Sequence, residues 1–294
     1  MSDHLFFQGL TKPGPVPRSP VRPVCRHSAA SADGCAGSEE FFRELFALVG
    51  LPAGSYRQSF LHRRFSACLR FLSARDTGTA LAKIHKHPEL AKSVLSVVLL
   101  GVTEFYRDPH VFQHVREVTL PSWKASGITG PRIWSAACSD GQELYSVALL
   151  LAEAGLIEQS MLLGTDYRSE AITKARAGKF GLEGLARFDA ALGSHLFEEE
   201  CPGFQVREQL RCIHWKQADL FAGAESGPWD LILWRNMSIY LNRDASEVIW
   251  RNLVRELRPG GCLITGKADY PPAHLRLVRL APCVYLKTEM SQRS

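Results

Sequence analysis

From Arg132 onward the chain alternates short apolar runs with amphipathic stretches, and no other feature limits its fold as strongly. The runs RIWSAAC, MLLGTD, RCIHWKQA, WDLILW and GCLITG read as strands, and helical periodicity follows at about 142–155, 168–178 and 243–257. Strand and helix in regular succession call for an α/β fold built on a doubly wound parallel sheet. Two stretches depart from the alternation. Residues 179–211 are turn-rich and end in GFQVREQLRCI, which predicts a small antiparallel insertion. LRLVRLAPCVYLK reads as two strands meeting at APC, which predicts an antiparallel hairpin closing the sheet.

The region before the sheet is different. Residues 1–37 carry KPGPVPRSPVRP and then Ala, Ser, Gly and Cys, too much proline for helix or sheet, so an extended or disordered tail is expected. Residues 38–108 read as a small all-helical unit, and 109–294 as the α/β domain. EEFFRELFALVG has apolar residues at 41, 42, 45, 46, 48 and 49 and closes on Gly50. HPELAKSVLSVVLLG is expected to start a helix at Pro88 and to end it on Gly101. Between them, Ser55 to Arg75 holds five arginines and no acid, with Arg57 and Arg64, and Arg63 and Arg70, spaced i, i+7 on common helix faces.

Composition excludes some classes. With 46% hydrophobic and 22% charged residues in 294, the chain can bury a core without staples. No apolar run approaches the roughly 18 residues of a membrane span, and the start lacks a signal peptide's basic region, so a soluble cytoplasmic protein is expected. Eight cysteines without a C-x-x-C pair predict reduced core thiols, with neither a disulfide framework nor a metal site. A net charge of +5 is too mild to argue for nucleic acid, and the arginines are not interleaved with aromatics suited to stacking bases.

In an open α/β sheet, ligands bind at the carboxyl ends of the strands. After the first strand stands Ser139-Asp140-Gly141-Gln142-Glu143, too poor in glycine to wrap a pyrophosphate but able to accept hydrogen bonds from an ammonium group. The second strand ends at Asp166, placed to hold a ribose diol. The third ends near Asp219 and Leu220, which could flank an adenine, and the fourth ends at Arg235 and Asn236, a polar break in an apolar run. An adenosine with an amino-acid tail fits these four ends, which is the description of S-adenosylmethionine.

GVTEFYRDPHVF, RIWSAACSDGQELYSVALLL, GTDYRSEAITKARAGKF and LILWRNMSIYL, in that order, resemble the CheR family of chemoreceptor glutamate methyltransferases over about residues 41–287. The resemblance implies a Rossmann-like class I methyltransferase sheet with a small antiparallel insertion, preceded by a helical domain, and S-adenosylmethionine as cofactor without a metal. It implies cofactor contacts from Gly101, Thr103, Arg107, Glu143, Asp166, Asp219, Leu220, Asn236 and Met237, with Glu143 on the methionine amino group. Arg107 and Tyr240 are implied to be catalytic, beside the methyl and the incoming carboxylate.

The implied partner is the cytoplasmic helical bundle of chemoreceptors, docked by Arg57, Arg63, Arg64 and Arg70, with the enzyme a monomer. Nucleic acid and direct membrane insertion are not expected. The chain departs from the family pattern where Gly101 stands for Asn, Gln142 and Leu144 for Glu and Pro, Asp219 for Asn, and Lys267-Ala268-Asp269 for His-Ser-Glu. A relative that binds the cofactor without turnover, or a methyltransferase for another substrate, is the alternative reading. Base amine methylation is disfavoured, because Arg235-Asn236-Met237 replaces the [ND]-P-P-[YF] turn and DYPP at 269–272 lies elsewhere.

Overall fold

The computed structural model of the chain describes residues 32–99, 101, 103–181, 197–200, 203–207, 210 and 212–288. The proline-rich stretch at 1–31 and most of the 179–211 insertion lie outside the described residues. Residues 32–37, expected to belong to the extended tail, instead begin the first helix, since no proline follows Pro23 there to break it.

Four helices come first: α1 (Ala32–Val49), α2 (Gln58–Phe71), α3 (Thr77–Lys86) and α4 (Leu90–Val98). The phenylalanine and leucine stripe on α1 explains its burial, since Phe41, Phe42, Leu45 and Phe46 are all at most 1% exposed. Gly50 ends this helix in the left-handed conformation, φ +76°. Asp76 caps α3 by accepting from Thr79 N at 2.7 Å. The helix expected to start at Pro88 and run to Gly101 is shorter at both ends. Leu90 N and Ala91 N bond back only three residues, to His87 O and Pro88 O, so 88–89 form a turn before α4.

Helices α5 (Pro109–His114) and α6 (Leu120–Ala125), joined through a π-helical turn at Val115–Thr119, lead into the sheet. The strands are β1 (Arg132–Ala136), β2 (Met161–Asp166), β6 (His214–Gln217), β7 (Trp229–Trp234), β8 (Leu257–Thr265), β9 (Leu277–Ala281) and β10 (Val284–Lys287). Between them run α7 (Gln142–Glu153), α8 (Ser169–Ala177) and α9 (Arg243–Glu256). Strand order is β6-β2-β1-β7-β8-β10-β9. The first five pair in parallel, and β10 is antiparallel to both its neighbours, as the APC turn predicted. A separate antiparallel sheet, β3 (Lys179–Gly181), β5 (Gly203–Val206) and β4 (Phe197–Glu200), forms within the predicted insertion.

β1 pairs with β2 on one side and with β7 on the other, so the chain's strand order reverses at β1. The loops leaving β1 and β7 diverge there and open a crevice at the carboxyl edge. The helical unit covers this edge without a separate core. Phe41, Phe46 and Phe60 share one buried cluster with Trp134, Ile232 and Trp250 of the α/β part. Backbone joins them too: Arg57 N donates to Tyr240 O at 2.9 Å, and Asn242 N to Ser55 O at 2.8 Å. Cys68, Cys138, Cys262 and Cys283 are buried free thiols, as small core residues would be.

Candidate active site

The crevice holds a cavity of about 970 Å³, part of it open to solvent, and all ten expected cofactor and catalytic residues line it. Gly101, Thr103 and Arg107 come from the segment before α5, and Glu143 from the first turn of α7. Asp166 comes from the end of β2, and Asp219 and Leu220 follow β6. Asn236, Met237 and Tyr240 follow β7.

The turns around it are bent in an unusual way. Of the seven non-glycine residues with positive φ among those described, three line this cavity, Ala137, Ser139 and Asn236, and two more, Tyr106 and Asp108, bracket its Arg107. Such conformations cost about 1–3 kcal/mol each and persist only where neighbours hold them. Carboxylates hold two of them. Ser139 N donates to Asp166 Oδ2 at 2.9 Å. Asn236 N donates to Asp269, which also accepts from Ser238 Oγ at 2.5 Å and from Gly266 N at 3.1 Å. Asp269 is 1% exposed, so the acid at the departing Lys267-Ala268-Asp269 site braces the β7 turn from within.

Glu143 does not face the cavity alone. Its Oε1 lies 2.5 Å from Arg235 Nη1, and Arg235 Nη2 lies 2.5 Å from Asp108 Oδ2 and 2.9 Å from Arg107 O. Lys267 Nζ completes the row at 2.7 Å from Asp108 Oδ1. Burial pushes the Glu143 carboxyl up from the ordinary value, against the lowering charges of Arg235 and Arg107. Burial also acts to raise Asp108, but the bond to Lys267 and the charges of Arg235, Lys267 and Arg107 outweigh it and hold it low. A carboxylate has about four acceptor directions, so Glu143 keeps capacity for a ligand ammonium beside Arg235.

The helical unit shapes the site directly. The Phe60 ring of α2 packs at 4.5 Å between centroids on Tyr240, which fixes that phenol's ring. Arg57 Nε donates to Leu241 O at 2.6 Å, and Arg64 Nη2 to Val97 O at 2.5 Å. Two of the four expected docking arginines therefore hold carbonyls within the molecule. Arg63 and Arg70 are exposed on α2 and form no ion pair among the described residues.

The cavity fits S-adenosylmethionine in its donor set. Two carboxylates, Asp166 and Glu143, line it for ribose and ammonium, with apolar Leu220 and Met237 also in the wall. Thr103 Oγ1 and Asn236 Oδ1 are buried there without a hydrogen-bond partner. Buried polar atoms left unpaired in this way point to a ligand. Sequence reasoning missed the pairing role of Arg235 and the brace from Asp269. It also missed Arg168 and the cavity-lining Tyr56 and Phe221. The polar break at Arg235-Asn236 in an apolar strand was the available signal for the first.

Residues 101–282 match the family described as CheR methyltransferase, SAM binding domain. Among curated relatives, a probable chemotaxis protein methyltransferase of Rhizobium etli is 32% identical over 76% of this chain and 89% of its own length. Chemotaxis protein methyltransferase 1 of Pseudomonas aeruginosa is 26% identical over 89% of this chain and 100% of its own length. The probable biofilm formation methyltransferase WspC of the same species is 27% identical over 79% of this chain. The match spans only 56% of WspC.

Proposed function

As a member of the CheR family of S-adenosylmethionine-dependent methyltransferases, to which the match over residues 101–282 assigns the chain, we propose that this protein esterifies glutamate side chains of methyl-accepting chemoreceptors. The observation that carries the reading is the convergence of ten residues, taken from five separate segments, on one cavity at the strand-order reversal. The relatives named chemotaxis protein methyltransferase support the receptor as substrate.

The bound cofactor supplies an electrophilic methyl group on a sulfonium. Everything else is positioning. A glutamate carboxylate is ionised at neutral pH, so no general base is needed. Arg107 orients it as a planar, bidentate donor. Tyr240, held by Phe60, closes the other side. The segment carrying Thr103 and Arg107 is tied down where Arg107 O accepts from Arg235, which keeps water from the reacting atoms. Asp166 receives the ribose hydroxyls, and Glu143 the ammonium.

The finer picture is a cytoplasmic monomer that applies residues 38–108 to the helical bundle of a receptor, with Arg63 and Arg70 of α2 facing acidic side chains. No helix among the described residues is long and apolar enough to cross a membrane. Methyl-labelled cofactor incubated with receptor-bearing membranes of the same cell tests the function. Label released as methanol by mild base is expected from a glutamyl ester. Base-stable label would mean transfer to an amine, and calorimetric binding of cofactor without any label would mean a binding relative.

A further inference from the structure

One charged side chain in the cavity belongs to neither the expected cofactor set nor the catalytic pair. Arg168 follows the β2 carboxylate by two residues and folds back over it. Its main-chain N donates to Asp166 Oδ1 at 2.9 Å, its Nε to the same oxygen at 3.1 Å, and its Nη2 approaches Oδ2 at 3.4 Å. Nη2 also donates to Ser139 Oγ at 3.1 Å, and Nη1 to Leu99 O at 3.2 Å. Ser139 Oγ in turn donates a hydrogen bond to Gly101 O at 3.2 Å. The side chain is 12% exposed. One guanidinium thus joins the end of α4, the turn after β1 and the acid that ends β2.

Gly101 lies directly beneath it. The backbone there is outside the left-handed region, so conformation does not demand glycine. Space does. A Cβ at this position would sit 2.4 Å from Arg168 Nη2, 2.5 Å from Nη1 and 2.4 Å from Ser139 Oγ. A side-chain tip yields more readily than backbone, so any larger residue at 101 would expel the guanidinium and break its bonds. Gly101 and Arg168 also border a second, outer groove lined by Ser93, Ser96, Asp140, Glu170 and Lys174. The two residues form the partition between that groove and the cofactor cavity.

We infer, resting on the cofactor reading above, that Arg168 is a positioning residue for S-adenosylmethionine, seated over a glycine that admits it, which fixes the Asp166 carboxylate and seals this wall. Asp166 already accepts four hydrogen bonds, three from Arg168 and one from Ser139 N, which is about all that a carboxylate can take. A ribose diol must therefore share or replace some of them, and the 3.4 Å approach of Nη2 is the weakest. Arg168 holds the acid in place beforehand and gives up one contact on binding, while its bonds to Ser139 and Leu99 keep the wall closed.

The test is a cycle of Gly101→Ala, Arg168→Ala, the double variant and Arg168→Lys, read by calorimetric titration with S-adenosylhomocysteine and by thermal unfolding without ligand. Each of the two single alanine variants should weaken binding by about tenfold. The double should stay within about twofold of the weaker single, since both remove the same contacts. Arg168→Lys should recover part, because an ammonium cannot reach Asp166, Ser139 and Leu99 together. In turnover, the change should fall on the cofactor KM more than on kcat. Without ligand, Gly101→Ala should lower the unfolding temperature of the wild type by more than that of Arg168→Ala, where only the approach to Ser139 Oγ is left to relieve. Multiplying effects in the double, or wild-type affinity in Arg168→Ala, would overturn the inference. Wild-type protein that binds no ligand would overturn the cofactor reading instead, and the unfolding cycle would still decide the coupling.

Discussion

Arg235 Nη1 lies 2.5 Å from Glu143 Oε1, with the arginine side chain fully buried and the glutamate side chain 11% exposed. The pair joins the turn after β7 to the first turn of α7, and through Asp108 it reaches the segment that carries Arg107. A buried pair of this kind contributes little over well-packed apolar residues, but losing one member strands the other charge.

Arg235→Ala should therefore cost about 3–5 kcal/mol of stability, measured by denaturant unfolding. Loss of under 1 kcal/mol would mean that water reaches Glu143 freely. The two acids should also show opposite pH signatures. The stability from Asp108, whose carboxyl is held low, is present above the ordinary aspartate range and lost as pH falls through its lowered value. Glu143, whose carboxyl is raised by burial, acts oppositely: its contribution is present below the ordinary glutamate value and lost as pH rises through the raised one. As pH rises above the ordinary glutamate value, Glu143→Gln should then lose less stability, or gain more, than the wild type. Parallel pH profiles would refute the assignment.

The four expected docking arginines should separate into two pairs. Arg63→Glu with Arg70→Glu should raise the KM for receptor, leave cofactor affinity and unfolding temperature unchanged, and abolish the fall of activity with added salt. Exposed charges are screened over ~8 Å at physiological ionic strength. Arg57→Ala and Arg64→Ala should instead each lose about 1–3 kcal/mol of stability, since each leaves a carbonyl without its charged donor. If all four variants behave alike, the arginines act as one undivided surface.

Arg107→Ala should lower turnover by at least about a hundredfold, or ~2.7 kcal/mol of barrier, with the fold intact. Arg107→Lys should restore only part, because a point charge cannot hold both carboxylate oxygens in a plane. Normal turnover in a folded, cofactor-binding Arg107→Ala enzyme would remove this residue from the mechanism.

Much of this protein was legible in its sequence because the relevant signals are local. Strand and helix periods are set by neighbours a few residues apart, so WDLILW and the helix after Asn242 could be read directly. Alternating strands and helices then send every strand's carboxyl end to one edge. Glu143, Asp166, Asp219 and Asn236 could thus be placed at a common site from their positions alone. The tertiary structure decided which charges neutralise one another. Arg235 and Asp108 are 127 positions apart, and Arg57 finds Leu241 across 184. Nothing in the residues near an arginine says whether its guanidinium will meet a carboxylate, a carbonyl or water. That choice depends on which backbone the fold brings within about 3 Å, and on how much water it expels there. The sequence therefore determined where the site is, and only the packing of the helices on one another and on the sheet decided which arginines hold carbonyls and which do not.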